Sequence, residues 1–150
     1  MSAASGSGLR VAVVGATGAV GTVMLRLLRA RGFPAAEIVP FASERSVGRE
    51  LEGGLVVQRL SDDTIQGFDV APAEKSATRS REWAPRFVDA GAVVVDNSSA
   101  FRRVADVPLV VSEVNPGALD SHSFVTSPAS GATCSASSSI PDCPAPPAAW

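Results

Sequence analysis

Residues 9–21 read LRVAVVGATGAVG, and the way this stretch divides decides the fold. Leu9 to Val14 is a short apolar run without polar alternation, the pattern of a strand buried on both faces of a parallel sheet. The run stops at Gly15. From Gly18 to Ala30, Val20, Val23, Met24, Leu27 and Leu28 recur at helical spacing, and Gly32 followed by Pro34 ends the helix. Glu37 to Ala42 (EIVPFA) reads as a second strand, although Pro40 cannot donate to a ladder. Strand, glycine turn, helix and strand make one β-α-β unit.

The alternation continues downstream. Leu55 to Leu60 reads as a short strand after the Gly53-Gly54 turn, and Phe68 to Ala71 starts another that Pro72 is expected to cut off. Ser80 to Ala90 is helical in pattern, with Trp83, Phe87 and Val88 on one side, so Pro85 is expected near its first turn or at a kink. Ala92 to Val95 is a buried strand ending in Asp96, and Val107 to Val111 reads as one more. These elements predict an α/β protein: a Rossmann-like open, mostly parallel sheet with flanking helices over residues 9–119, behind a flexible segment at 1–8. From Asp120 to Trp150 no period is sustained and Ser, Ala and Pro dominate. An irregular, disordered or weakly docked tail is expected there.

Composition narrows the function classes. The 150 residues suffice for one domain with a real core; 45% are hydrophobic and the formal net charge is −2. That balance offers no basic footprint for nucleic acid. Cys134 and Cys143 are the two cysteines, too few for a disulfide framework, and no Cys/His spacing suits a metal site. The N-terminus MSAASGSG lacks the basic and apolar regions of a signal peptide. No stretch approaches the roughly 18 consecutive apolar residues of a membrane span. A cytoplasmic location, with no membrane or nucleic-acid partner, is the expectation.

The glycines suggest what the turn holds. Gly15 lets the chain turn sharply, Gly18 lets backbone N–H groups approach a pyrophosphate, and Gly21 lets helix and strand pack closely. Glycines also end strands for purely structural reasons, but the flanking strand and helix favour a dinucleotide site. Cofactor choice is read at the end of the second strand, where the sequence is FASERS. Ser43, Arg45 and Ser46 suit the ribose 2′-phosphate of NADP, whereas Glu44 could instead accept a bond from the 2′-OH of NAD. NADP is the favoured reading. A second constellation, DNSSAFR at 96–102, follows a strand end where ligands of open sheets collect. Asn97, Ser98 and Ser99 could contact such a ligand, and Arg102 could clamp an anion. In the competing reading this is a turn in which Asp96 and the serines cap their own backbone.

GATGAVG, FASERSVGR, REWAPRF, AVVVDNSSAFR and VPLVVSEVNP, in this order and spacing, resemble the N-terminal NAD(P)-binding domain of aspartate-semialdehyde dehydrogenase over about residues 9–119. The resemblance implies NADPH-dependent reductive dephosphorylation of L-aspartyl 4-phosphate to L-aspartate 4-semialdehyde, on the route to lysine, threonine, methionine and diaminopimelate. It also implies that Gly15, Thr17, Gly18, Ala19 and Val20 form the pyrophosphate loop. Arg45 and Ser46 would contact the 2′-phosphate, and Arg102, beside Asn97, would grip the phosphate of a small acyl-phosphate substrate. N-acetyl-glutamyl-phosphate reductase shares the architecture and is the runner-up; a non-catalytic nucleotide-binding module is the reading from another class.

Two stretches depart from the family pattern. PAEKSATRS at 72–80 replaces an apolar strand end and a small-residue loop, and implies a shortened central strand. After EVNP the family's Asn-Pro-Asn-Cys nucleophile motif is missing; Cys134 is preceded by GAT instead. The expectation is a chain truncated or frame-shifted after about residue 119, without the catalytic and dimerisation domain that supplies the family's histidine base and main homo-oligomer interface. No catalytic residue is assigned, and the chain alone is expected to be inactive.

Overall fold

The computed structural model describes residues 8–73, 76–111, 114–120 and 122–126. Strand β1 (Leu9–Val14) leads into helix α1 (Ala19–Ala30) and strand β2 (Ala35–Ala42). Short strands β3 (Glu50–Leu51), β4 (Leu55–Val56) and β5 (Gln58–Arg59) follow, then β6 (Val70–Ala73) and helix α2 (Ala77–Asp89). Strands β7 (Val93–Asp96) and β8 (Phe124–Thr126) complete the main sheet.

That sheet has six strands in the order β5-β2-β1-β6-β7-β8, and every neighbouring pair is parallel. The chain therefore winds outward from β1 in one direction and from β6 in the other, the doubly wound arrangement. Residues of β1 alternate between two cores. Ala12 and Val14 join Phe41, Phe68, Phe87 and Val94 on the α2 face; Val11 and Val13 meet Leu25 of α1 on the other. A strand buried on both faces is what an apolar run without alternation specifies.

Helix α1 matches the expected span, with Gly18 as its N-cap. Strand β2 starts at Ala35 and keeps Pro40, which is opposite Val13 of β1. The missing N–H is tolerated because β5 pairs with β2 only at Phe41 and Ala42, leaving an edge beside Pro40.

Several sequence expectations need correction. Pro72 does not cut off its strand: β6 runs through it to Ala73. The carbonyls of Asp69 and Ala73 accept from Val93 and Asn97 on the β7 side. Alternation turns the intervening Pro72 toward β1, which pairs with β6 only at Val70, so no donor is demanded there. The expected Leu55–Leu60 strand is two pieces. Leu55–Val56 closes an antiparallel hairpin on β3, and Gln58–Arg59 moves to the main sheet beside β2. Val57 is the hinge between them; it is buried and exchanges backbone bonds with Gly48 and Arg49.

Val107–Val111 forms no strand; its one ladder contact is an isolated bridge between Leu109 and Thr126. Pro108 can only accept there, taking the Thr126 N–H on its carbonyl. Pro85 lies inside α2 rather than in its first turn. It is exposed, so the Arg81 carbonyl left without its helical donor can turn to water.

The main sheet continues past residue 119, since β8 pairs with β7 from Phe124 to Thr126. Residues 1–7 and 127–150, and with them Cys134 and Cys143, lie outside the described residues. Among those described, no helix is long and apolar enough to cross a membrane.

Candidate functional site

Because the sheet is parallel, the carboxyl ends of β1, β2, β5, β6 and β7 all lie on one edge, and the winding reverses between β1 and β6. Such a reversal opens a crevice where two connections leave in opposite directions. Here the crevice is a shallow open depression lined by Val13, Val14, Val20, Gly21, Met24, Pro72, Ala73 and Asn97. It brings the glycine turn and Asn97 together.

The turn is built from backbone. Gly15 has φ +78°, in the left-handed region that favours glycine. Its N–H and that of Ala16 both donate to the Phe41 carbonyl, at 2.7 and 2.9 Å, which ties the turn to the end of β2. Gly18 donates to Gly15, and its own carbonyl accepts from both the N–H and the hydroxyl of Thr22. A Cβ on Gly21 would stand 2.2 Å from the Gly15 oxygen, so only glycine lets α1 seat this close to the turn. Gly18 is extended, a conformation any residue adopts, so glycine contributes there by leaving its amides uncovered.

Helix α1 has no side-chain cap and no acidic residue in its first turn. The amides of Ala19, Val20 and Gly21 occupy the first helical positions, which have no acceptor within the helix. Together with the positive end of the helix dipole they suit an anion.

At the end of β2, the Ser46 N–H donates to the Ser43 carbonyl in a single tight turn over Glu44–Ser46. Ser43 and Ser46 are half-buried, whereas Arg45 is exposed. The Glu44 carboxylate pairs with Arg59 at 2.6 Å. The sequence reading missed Arg59, because nothing in GLVVQRL signals that Gln58–Arg59 leaves the hairpin to lie beside β2.

In the loop after β7 the two readings divide between residues. Asp96 is fully buried; its carboxylate accepts from the Ser80 hydroxyl at 2.8 Å, the Ser98 N–H at 2.9 Å and the Ser98 hydroxyl at 2.7 Å. The Ser98 hydroxyl in turn accepts from the Ala100 N–H. Ser98 therefore braces the loop from inside and is not available to a ligand, which corrects the expectation of a polar contact. Asn97 remains on the crevice, and Ser99 is exposed. Arg102 donates through Nη2 to the Asn97 carbonyl at 3.3 Å, while its Nε is buried without a partner. A buried donor left unmade costs free energy that an incoming acceptor recovers. His122, which matches no motif, lies exposed with Nδ1 3.0 Å from the Ala118 carbonyl.

A doubly wound sheet with an uncapped glycine turn at its reversal point is the architecture of a dinucleotide-binding domain. Residues 10–122 match the semialdehyde dehydrogenase NAD binding domain, and the chain belongs to that family. It is 49% identical over 119 residues to the aspartate-semialdehyde dehydrogenase of Synechocystis sp., covering 77% of this chain and 35% of the relative. Against the Bacillus subtilis aspartate-semialdehyde dehydrogenase it is 42% identical over 123 residues, covering 80% of this chain and 36% of the relative. Among solved structures, aspartate semialdehyde dehydrogenase II of Vibrio cholerae complexed with ASA superposes with a TM-score of 0.75 at 39% identity, over 81% of this chain and 42% of that one. The Candida albicans enzyme with NADP gives 0.61 at 31% identity, over 75% and 36%. The chain spans about a third of the length of the curated relatives it matches.

Proposed function

We propose that this chain is the nucleotide-binding part of an NADP-dependent aspartate-semialdehyde dehydrogenase, acting in the reductive dephosphorylation of L-aspartyl 4-phosphate to L-aspartate 4-semialdehyde. The observation that carries the reading is the first turn of α1. Its amides lack a cap, and Gly21 seats it against the Gly15 turn at the reversal of the sheet. Gly15, Thr17, Gly18, Ala19, Val20 and Gly21 would hold the pyrophosphate; Ser43, Arg45 and Ser46 would hold the 2′-phosphate. NADP in the related Candida albicans structure supports the cofactor class.

NADPH, when bound, supplies the hydride for an acyl group. The residues of this chain bind and orient. Arg102 would meet the substrate phosphate, and its buried, unpartnered Nε fits a group that arrives with acceptor oxygens. Asn97 lies between that arginine and the crevice, in contact with the one and lining the other. The Ser80–Asp96–Ser98 network holds the loop rigid beneath them.

Acyl reduction needs a nucleophile, a base and a hydride donor held together, and proximity supplies much of the rate. We propose that the 150-residue chain acts alone as a binding unit without turnover, with residues 9–119 carrying the nucleotide. Titration calorimetry with NADP tests this: saturable binding is expected, with no NADPH oxidation on adding aspartyl phosphate. Absence of binding would overturn the assignment, and turnover would overturn the inactive state.

A further inference from the structure

Strand β5 ends at Arg59, whose register partner on β2 is Ala42, the residue immediately before Ser43–Ser46. The two strands are parallel, so Arg59 is delivered to the same edge as the turn that follows β2. Its backbone is pinned there, since its carbonyl accepts from the Thr64 hydroxyl at 2.8 Å. From that position Nη2 reaches the Glu44 carboxylate. The pair is 67% and 75% exposed, so it adds little to stability. Its consequence is electrostatic.

Glu44 is the one carboxylate within the Ser43–Ser46 turn. Bare, it would accept from a ribose 2′-OH and repel a 2′-phosphate. Arg59 cancels that charge and, being a five-donor fork engaged through Nη2, retains other N–H groups for an anion. We propose that Arg59 determines cofactor choice: it masks Glu44 and acts with Arg45 as a second guanidinium for the 2′-phosphate, so that NADP is preferred over NAD. This rests on the reading that the chain binds NADP.

The test is calorimetry with NADP and with NAD on the wild type, Arg59→Ala and the double variant Arg59→Ala/Glu44→Gln. Arg59 is largely exposed, so the variants are expected to keep the wild-type melting curve. Arg59→Ala should weaken NADP about tenfold and leave NAD unchanged or tighter. Removing the unmasked carboxylate in the double variant should restore part of the NADP affinity. A purely structural Arg59 would shift both nucleotides together. Equal losses for NADP and NAD, or unchanged NADP binding, in a protein whose wild type binds NADP would overturn this role for Arg59 alone. A wild type that binds neither nucleotide would overturn it together with the NADP reading.

Discussion

A methyl group on Gly21 would meet the Gly15 oxygen at 2.2 Å and the Ala16 Cα at 2.7 Å, with no flexible side chain to yield. Gly21→Ala must therefore lift α1 off the turn. We expect a stability loss of about 1–3 kcal/mol in denaturant unfolding, and at least a roughly tenfold loss of NADP affinity as the amides move out of place. Asp96 offers a second residue-scale prediction. Asp96→Asn keeps the shape but turns one of the two acceptor oxygens into a donor, facing either the Ser98 hydroxyl or the Ser80 hydroxyl and the Ser98 N–H, and should cost about 1.5–3 kcal/mol. Unaltered urea unfolding would refute the bracing role. These demands differ in legibility. Gly15 and Gly21 can be read from sequence because their partners lie within a few positions of one β-turn-α unit. Ser98 cannot, because only the path of the loop decides whether its hydroxyl faces Asp96 or the crevice.

Among the elements, the main core is organised by three phenylalanines from different segments. Phe41 of β2, Phe68 before β6 and Phe87 of α2 meet edge to face, with ring centroids 5.7 to 6.4 Å apart. Phe87 is 1% exposed, so Phe87→Ala should destabilise the fold by about 3–5 kcal/mol, read from the urea midpoint. Strand β1, helix α1 and strand β7 were legible because long apolar periodicity or a doubly buried run has few competing interpretations. The prolines were not. Whether Pro72 breaks a strand depends on which neighbour its missing N–H would face, and β1 makes no bond there. Val107–Val111 has the composition of a strand, yet Pro108 and a partner only three residues long leave it one bridge. The site shows the same limit: Arg59 became visible only once β5 was seen to cross from the hairpin to β2.

For the whole molecule, the reversal of the sheet between β1 and β6 places every nucleotide-binding candidate on one edge, while the opposite edge is closed by the Arg10 cluster. There Arg10 pairs with Glu37, donates to the Gly67 carbonyl and stacks on Phe68. On the outer face of α1, Val23 is 50% and Leu27 43% exposed, one turn apart. Binding of NADP without any consumption of NADPH in the presence of aspartyl phosphate is the behaviour expected of the chain at this scale. The most direct measurement of the central claim is an amide chemical-shift titration of the isotope-labelled chain with NADP. The largest shifts are expected at Gly18, Ala19, Val20 and Gly21, with a second group at Ser43–Ser46 that is absent with NAD. Shifts confined to the Arg10 edge, or none at the first turn of α1, would contradict it.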